Sequence, residues 1–455
     1  MRAILLGLVV VAGCTTSRTI GQPNLSVQEE HISLTRRDKV DILFMIDNSP
    51  SMAPKQAALE KSFPELVTRI ENLATNGLPA EFHIGVVDSD LGAGPYTLNQ
   101  GQCHPDGDGG KLRTAADPDA ANVPAACAGF TLPSGYIDVD TATGKQDPAN
   151  LDVATAFTCL ASVGEKGCGF EQQLESVYRV LTTPALNPGF LRDDALLVVV
   201  WLTDEDDCSA PPDSTLFDPS SGGVATYGTL QSFRCTQFGI TCDGKPLTGG
   251  DQATMSCAPA VGGPLFDVSR YTALFADGGV KASADDVLLV AIDAPPTPVD
   301  VAVTMPCADN VSTPSCPILQ HSCVSADHAI FGDPAVRLDA VLSASGSSVS
   351  ASVCDDAYTQ TLDSLADAMS ARMHAGCLPG AIVDLVDPGC TITLGGVDVV
   401  RCTADRLPCW ELVDDPGCPE RLTPAGASQH YRLAIEGATN GMPVSASCPL
   451  YVPAP

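Results

Sequence analysis

Basic residues are scarce in this chain. Lys and Arg number 24 against 55 Asp and Glu, which gives a formal net charge of −31 at pH 7 over 455 residues. So acidic a surface repels the phosphates of nucleic acid and the headgroups of anionic lipid, and both are poor partners for it. Long apolar runs are missing too, since nothing after residue 14 is long and apolar enough to span a bilayer. No Cys-x-x-Cys pair occurs and the 7 histidines lie scattered, which argues against zinc. There is no Gly-x-Ser-x-Gly elbow and no His-Glu-x-x-His helix, so the sequence signatures of a serine hydrolase and a zinc protease are both absent. Apolar residues themselves are plentiful at 44%, ample for a core. The length exceeds one ordinary domain and predicts a large domain with insertions plus a small one.

The N-terminus is the first positive signal. One positive charge at Arg2 precedes a short apolar stretch and small residues. This reads as a secretory signal over residues 1–13, too short for a membrane-spanning helix. Val11-Ala12-Gly13-Cys14 resembles a bacterial lipobox, and the resemblance implies that Cys14 becomes the lipidated N-terminus. Thr15, where Asp would otherwise follow, resembles Gram-negative lipoproteins of the outer membrane and implies a lipid-anchored place in the cell envelope. Setting Cys14 aside leaves 18 of the 19 cysteines, an even number that can pair completely. In an exported chain these read as disulfides, with Cys235/Cys242 and Cys402/Cys409 as candidate short pairs. Residues 14–36 are polar with little periodicity and read as a tether.

The centre of the chain is Val40-Asp41-Ile42-Leu43-Phe44-Met45-Ile46-Asp47-Asn48-Ser49-Pro50-Ser51. Its apolar run has the length of a strand buried on both faces, as in a parallel sheet covered by helices. It ends abruptly in Asp47, and hydroxyls follow at Ser49 and Ser51. These are hard oxygen ligands of the kind Mg²⁺ prefers. Phe82–Val87, Ala195–Leu202 and Asp286–Asp293 are further buried strands. The run Ala195–Leu202 again ends in an acid, Asp204, with Glu205, Asp206 and Asp207 extending an acidic rim. Leu59, Phe63, Leu66 and Val67 fall at helical spacing, with Pro64 expected to kink or interrupt that helix. The predicted fold is α/β, a doubly wound, mostly parallel sheet. In such a sheet ligands bind beyond the carboxyl ends of the strands, where Asp47 and Asp204 both fall. His83, inside a strand, reads as a packed histidine. Asp106-Gly107-Asp108 reads as an acidic turn, lacking the later ligands of a calcium loop.

Asp47-x-Ser49-x-Ser51 with Thr203-Asp204 resembles the metal-ion-dependent adhesion site of von Willebrand factor type A domains. The resemblance spans residues 37–375, with cysteine-containing insertions near 88–165, 209–265 and 297–345. It implies one divalent cation, Mg²⁺ or Mn²⁺, on Asp47, Ser49, Ser51 and Asp204, with an open position completed by a carboxylate from a partner protein. Gly167–Leu174 opens a further helix, with Leu174, Val177, Tyr178 and Leu181 on one face, and the family's Thr ligand just ahead of it is missing, because no Thr lies between Thr158 and Thr182. Glu165 is the nearest oxygen donor and is assigned to that place. Glu171, expected in the first turn of the helix, or water could also fill it. With its lipobox and its Thr-Asp-Glu-Asp-Asp-Cys stretch, the layout is similar to cysteine-rich lipoproteins of predatory soil bacteria.

Residues 376–455 read as a small disulfide-bearing β module. Thr391–Val400 reads as a hairpin across Gly395-Gly396. The functional expectation is a non-enzymatic envelope protein that binds a protein ligand. The alternatives are a metal-free scaffold of an envelope assembly and, behind it, a surface hydrolase.

Overall fold

The structure, a computed structural model, describes residues 25–32, 39–75, 81–98, 103, 105–120, 123–141, 143–254, 256–304, 316–345, 348–355, 357–373, 376–402, 407–415, 418, 420–436 and 444–453. The signal sequence, Cys14 and the first part of the tether lie outside the described residues. The chain divides into two units, one of Ser33–Cys377 with Asp415–Pro419, the other of Met1–Ile32, Leu378–Asp414 and Glu420–Pro455.

The larger unit is built on β1 (Lys39–Ile46), α1 (Ala53–Thr75), β2 (Glu81–Asp88), β3 (Tyr136–Asp140), β4 (Lys145–Asp147), α2 (Val153–Ala161), α3 (Gln173–Thr182), β5 (Leu196–Leu202), α4 (Ser269–Phe275), β6 (Val287–Asp293), α5 (Val336–Ala344), β7 (Ser348–Ser352) and α6 (Thr359–Met373). The seven strands form one sheet in the order β7-β6-β5-β1-β2-β3-β4. From β7 to β2 all neighbours run parallel, while β3 and β4 add antiparallel at one edge. The insertion near 88–165 thus contributes two strands to the sheet. Their short, acidic sequences, Tyr-Ile-Asp-Val-Asp and Lys-Gln-Asp, carry little apolar signal.

The sheet is covered on both faces because β1 and β5 are apolar at alternate positions twice over. Val40, Ile42, Phe44 and Ile46 share one core with Leu196, Val198, Val200 and Leu202; α1 adds Leu59 and Phe63, α2 adds Phe157, and α6 adds Leu362, Leu365 and Met369. Leu43, Met45, Leu197, Val199 and Trp201 face the opposite way, against Leu174 and Val177 of α3, Tyr271 of α4 and Leu338 of α5. All seven residues of β5 are buried. Each such side chain contributes roughly 1.5–3 kcal/mol, so the strand at the centre of the site is also the hardest to displace.

Pro64 neither ends nor interrupts α1, which runs continuously from Ala53 to Thr75. The proline is on the exposed face, where water can donate to the Glu60 carbonyl that its missing N–H leaves unbonded. The disulfides Cys103–Cys168, Cys127–Cys159, Cys208–Cys235, Cys242–Cys257 and Cys323–Cys354 tie the insertions down. The candidate pair Cys235/Cys242 is therefore not formed: a strand pairing places Cys242 opposite Cys257.

In the smaller unit Leu25–His31 pairs antiparallel with the C-terminal strand Val444–Pro453. Part of the segment read as a tether is therefore a strand, and its partner lies more than four hundred residues away in sequence (Glu29 opposite Pro449). Thr391–Leu394 and Val397–Asp398 form the expected hairpin, with Gly395 at φ 60° and Gly396 at φ 82°, the left-handed region this turn demands. Cys390–Cys448 and Cys402–Cys409 close this unit, the latter one of the two candidate short pairs.

Candidate functional site at the carboxyl ends of the parallel strands

β1 and β5 are neighbours in register, so Asp47 and Thr203-Asp204 leave the sheet side by side. The Asp47 N–H donates to the Leu202 carbonyl at 2.9 Å. Thr203 Oγ1 donates to Asp47 Oδ2 at 2.8 Å. The other carboxylate oxygen, Oδ1, accepts from the Ser49 N–H at 2.8 Å and the Ser89 hydroxyl at 3.2 Å. Ser49 Oγ and Ser51 Oγ stand 3.2 Å apart. Gln56, near the start of α1, donates to the Asp47 carbonyl at 3.0 Å and to the Gly164 carbonyl at 2.9 Å. Gln173 at the start of α3 donates to Thr203 Oγ1 at 3.0 Å. The motif loop is thus fixed from β2, β5, α1 and α3 at once.

Asp47 is fully buried, and burial together with the charge of Asp204 pushes its pKa up to about 6. Glu171 is also buried, and its pKa is raised well above the usual range by burial, by Glu205 and by Asp47. Half-buried Glu205 is raised likewise, by burial and then by Asp333, Asp204 and Asp47. Glu171, from the loop ahead of α3, thus shares the electrostatic surroundings of Asp47 and Asp204. Glu165 sits in the preceding turn, whose Gly167 N–H donates to the Asn48 carbonyl at 2.9 Å. Glu171 lies two residues before α3 and is held there by the Cys208 N–H on its carbonyl at 2.8 Å.

Two acids of the expected rim do other work. Asp206 caps α5, accepting from the Arg337 N–H at 2.9 Å and the Leu338 N–H at 3.3 Å. Asp207 accepts from the Leu174 N–H of α3 at 2.9 Å and pairs with the buried guanidinium of Arg337 at 3.1 Å. Only Glu205 of the three stays with the Asp47 cluster. Asp108 pairs at 3.2 Å with Arg113, which also holds Asp88 at the end of β2, in keeping with an acidic turn rather than a calcium loop.

One participant belongs to no motif in the sequence. Lys55, in the first turn of α1, is fully buried, pairs with Asp204 Oδ2 and donates to the Ser51 carbonyl at 2.9 Å. Its ammonium lies 4.5 Å from the centre of the Phe331 ring. The one signal the sequence offers for it is its spacing, eight residues after Asp47.

The donor set suits a hard divalent cation: carboxylates and hydroxyls of Asp47, Ser49, Ser51 and Asp204, with Glu171 adjacent. Asp204 Oδ1 is buried and has no hydrogen-bond partner among the described residues, an acceptor that calls for a cation or a donor. The cluster Cys402, Cys409 and Glu436 elsewhere is no thiolate site, because its two cysteines are joined as a disulfide.

No family model matches the chain, and no curated protein matches it. Solved structures similar to it include the pilus adhesin SpaC from Lactobacillus rhamnosus GG in its open conformation, with a TM-score of 0.28, 10% identity, and coverage of 94% of this chain and 41% of SpaC. A von Willebrand factor type A protein from Catenulispora acidiphila gives 0.27 and 11%, covering 95% of this chain and 66% of its own. The pilus adhesin RrgA from Streptococcus pneumoniae gives 0.26 and 9%, covering 93% and 58%. The chain thus spans about two fifths of the length of SpaC. Among the described residues no helix is long and apolar enough to cross a membrane.

Proposed function

We propose that this chain is a cell-envelope binding protein of the von Willebrand type A kind, anchored by lipid on Cys14 in the outer membrane of a Gram-negative bacterium. It engages a partner protein at the carboxyl ends of its parallel strands. The observation that carries the reading is the contact of Thr203 with Asp47, which unites the two sequence motifs in one buried oxygen cluster. Asp47, Ser49, Ser51 and Asp204 would hold Mg²⁺ or Mn²⁺, with Glu171 in the place first assigned to Glu165. A bound cation would supply an electrophilic point for a carboxylate of the partner. The chain's own residues do the rest: Thr203, Ser89 and Gln56 orient the Asp47 loop, and Gln173 orients Thr203.

The test is thermal unfolding of the wild type and Asp47→Ala, with and without Mg²⁺ or Mn²⁺. A cation that binds only the folded protein adds about 2.7 kcal/mol at a hundredfold excess over its Kd. A rise in the wild type that vanishes in the variant supports the site. No rise at millimolar metal overturns it and favours the second reading, a metal-free scaffold, for which the ion pair of Lys55 with Asp204 speaks. The anchor is tested separately: Cys14→Ser should move the protein from the membrane to the soluble fraction, and an unchanged distribution rejects the lipid.

A further inference from the structure

We infer that Lys55 is a tethered internal cation that competes with the divalent ion for Asp204. This rests on the metal reading above and deepens it, by making Lys55 the residue that sets how readily the site takes up metal.

Lys55 is placed against its local preference. It stands in the first turn of α1, where the helix dipole disfavours a positive charge. It is nonetheless wholly buried, and a buried ammonium persists only where it is paired. The long-range contact with Asp204 accounts for the position and the local sequence does not. The ammonium also faces the Ser51 carbonyl, so it lies between the two segments that carry the proposed ligands. Phe331 closes over it at cation–π distance.

Phe331 belongs to a hairpin, Cys323–Val324 with Phe331–Gly332, from the third insertion. That hairpin is pinned over the site. The Asp333 N–H donates to the Asp204 carbonyl at 2.7 Å, and Cys323 is bonded to Cys354 beyond β7. Gly332 permits the close approach, because a Cβ there would meet Ala294 Cβ at 2.7 Å and Val353 Cγ1 at 2.8 Å. Lys55 takes Asp204 Oδ2, and Oδ1 has no hydrogen-bond partner among the described residues. A divalent ion on that carboxylate would sit within a few ångströms of the ammonium, where two cations in a dry site repel strongly. Metal entry therefore requires Lys55 to give up Asp204. Without metal, Lys55 keeps Asp204 neutralised.

The experiment is Mn²⁺ titration by calorimetry on the wild type, Lys55→Gln, Lys55→Arg and Asp47→Ala/Lys55→Gln. Lys55→Gln should bind Mn²⁺ about tenfold or more tighter than the wild type, Lys55→Arg should stay near the wild type, and the double variant should lose the gain. Should Lys55→Gln fail to fold, acylation footprinting of the wild-type lysines tests the same competition. Lys55 should be protected without metal and become reactive at saturating Mn²⁺. Wild-type binding with no gain in Lys55→Gln, or a Lys55 that stays protected when metal is bound, overturns the competition and leaves the metal site standing. No Mn²⁺ binding in any of the four proteins overturns the metal reading and the competition with it.

Discussion

The hydroxyl of Thr203 donates to Asp47 Oδ2 over 2.8 Å, joining side chains 156 residues apart in the chain. Thr203 and Asp47 each follow an apolar strand by one residue, and the parallel register of β1 with β5 makes those two ends coincide. Everything proposed for the site depends on this alignment.

Thr203→Val should remove a donor from a buried carboxylate without changing side-chain shape. The expected cost is about 1–3 kcal/mol in urea unfolding of the metal-free protein, with Thr203→Ser recovering most of it. A variant as stable as the wild type would mean that Asp47 does not depend on Thr203.

Arg337 and Asp207 are both buried and paired, and Asp207 also caps α3. Arg337→Met leaves a buried carboxylate without its partner, so a loss of about 3–5 kcal/mol is expected in denaturant unfolding. Adding Asp207→Asn should recover part of that loss. A double variant no more stable than Arg337→Met alone would show that the packing of the arginine, not its charge, matters.

His83 gives a pH dependence. Its Nδ1–H donates to the Phe190 carbonyl at 2.8 Å, and its ring lies against Tyr136. Burial, aided by Arg192, holds its pKa below the ordinary 6.5 against the opposing pull of the Phe190 hydrogen bond, Asp41 and Asp138. A histidine whose folded pKa is depressed takes up its proton more readily when unfolded. Its contribution is therefore complete above the unfolded pKa of about 6.5 and is lost as pH falls below it. The stability advantage of the wild type over His83→Gln should shrink between pH 7 and pH 5. An advantage constant with pH would show that the ring does not titrate in this range.

The cluster of acids explains why the sequence reached the site but not its charge balance. Asp47, Ser49, Ser51 and Asp204 stood out because each follows a continuous apolar run, and a run buried on both faces is a local signal. The alternation of Val40, Ile42, Phe44 and Ile46 against Leu43 and Met45 likewise announced helices on both faces. Gly395-Gly396 marked its hairpin because few other residue pairs take up that backbone.

What the sequence by itself determined, then, is whatever period and turn chemistry encode over a few residues: the buried strands, their acidic ends and the small hairpin. Tertiary structure alone decided that Lys55 pairs with Asp204, that Glu171 is buried within reach of the charges of Glu205 and Asp47, and that Asp206 and Asp207 serve α5 and α3. It also decided that Leu25–His31 is a strand and that Cys235 bonds to Cys208. Each of these is a pairing between distant segments. The partner of a charge, of an edge strand or of a thiol is chosen by what the folded sheet brings within reach, and no local pattern around Lys55 or Leu25 records that choice.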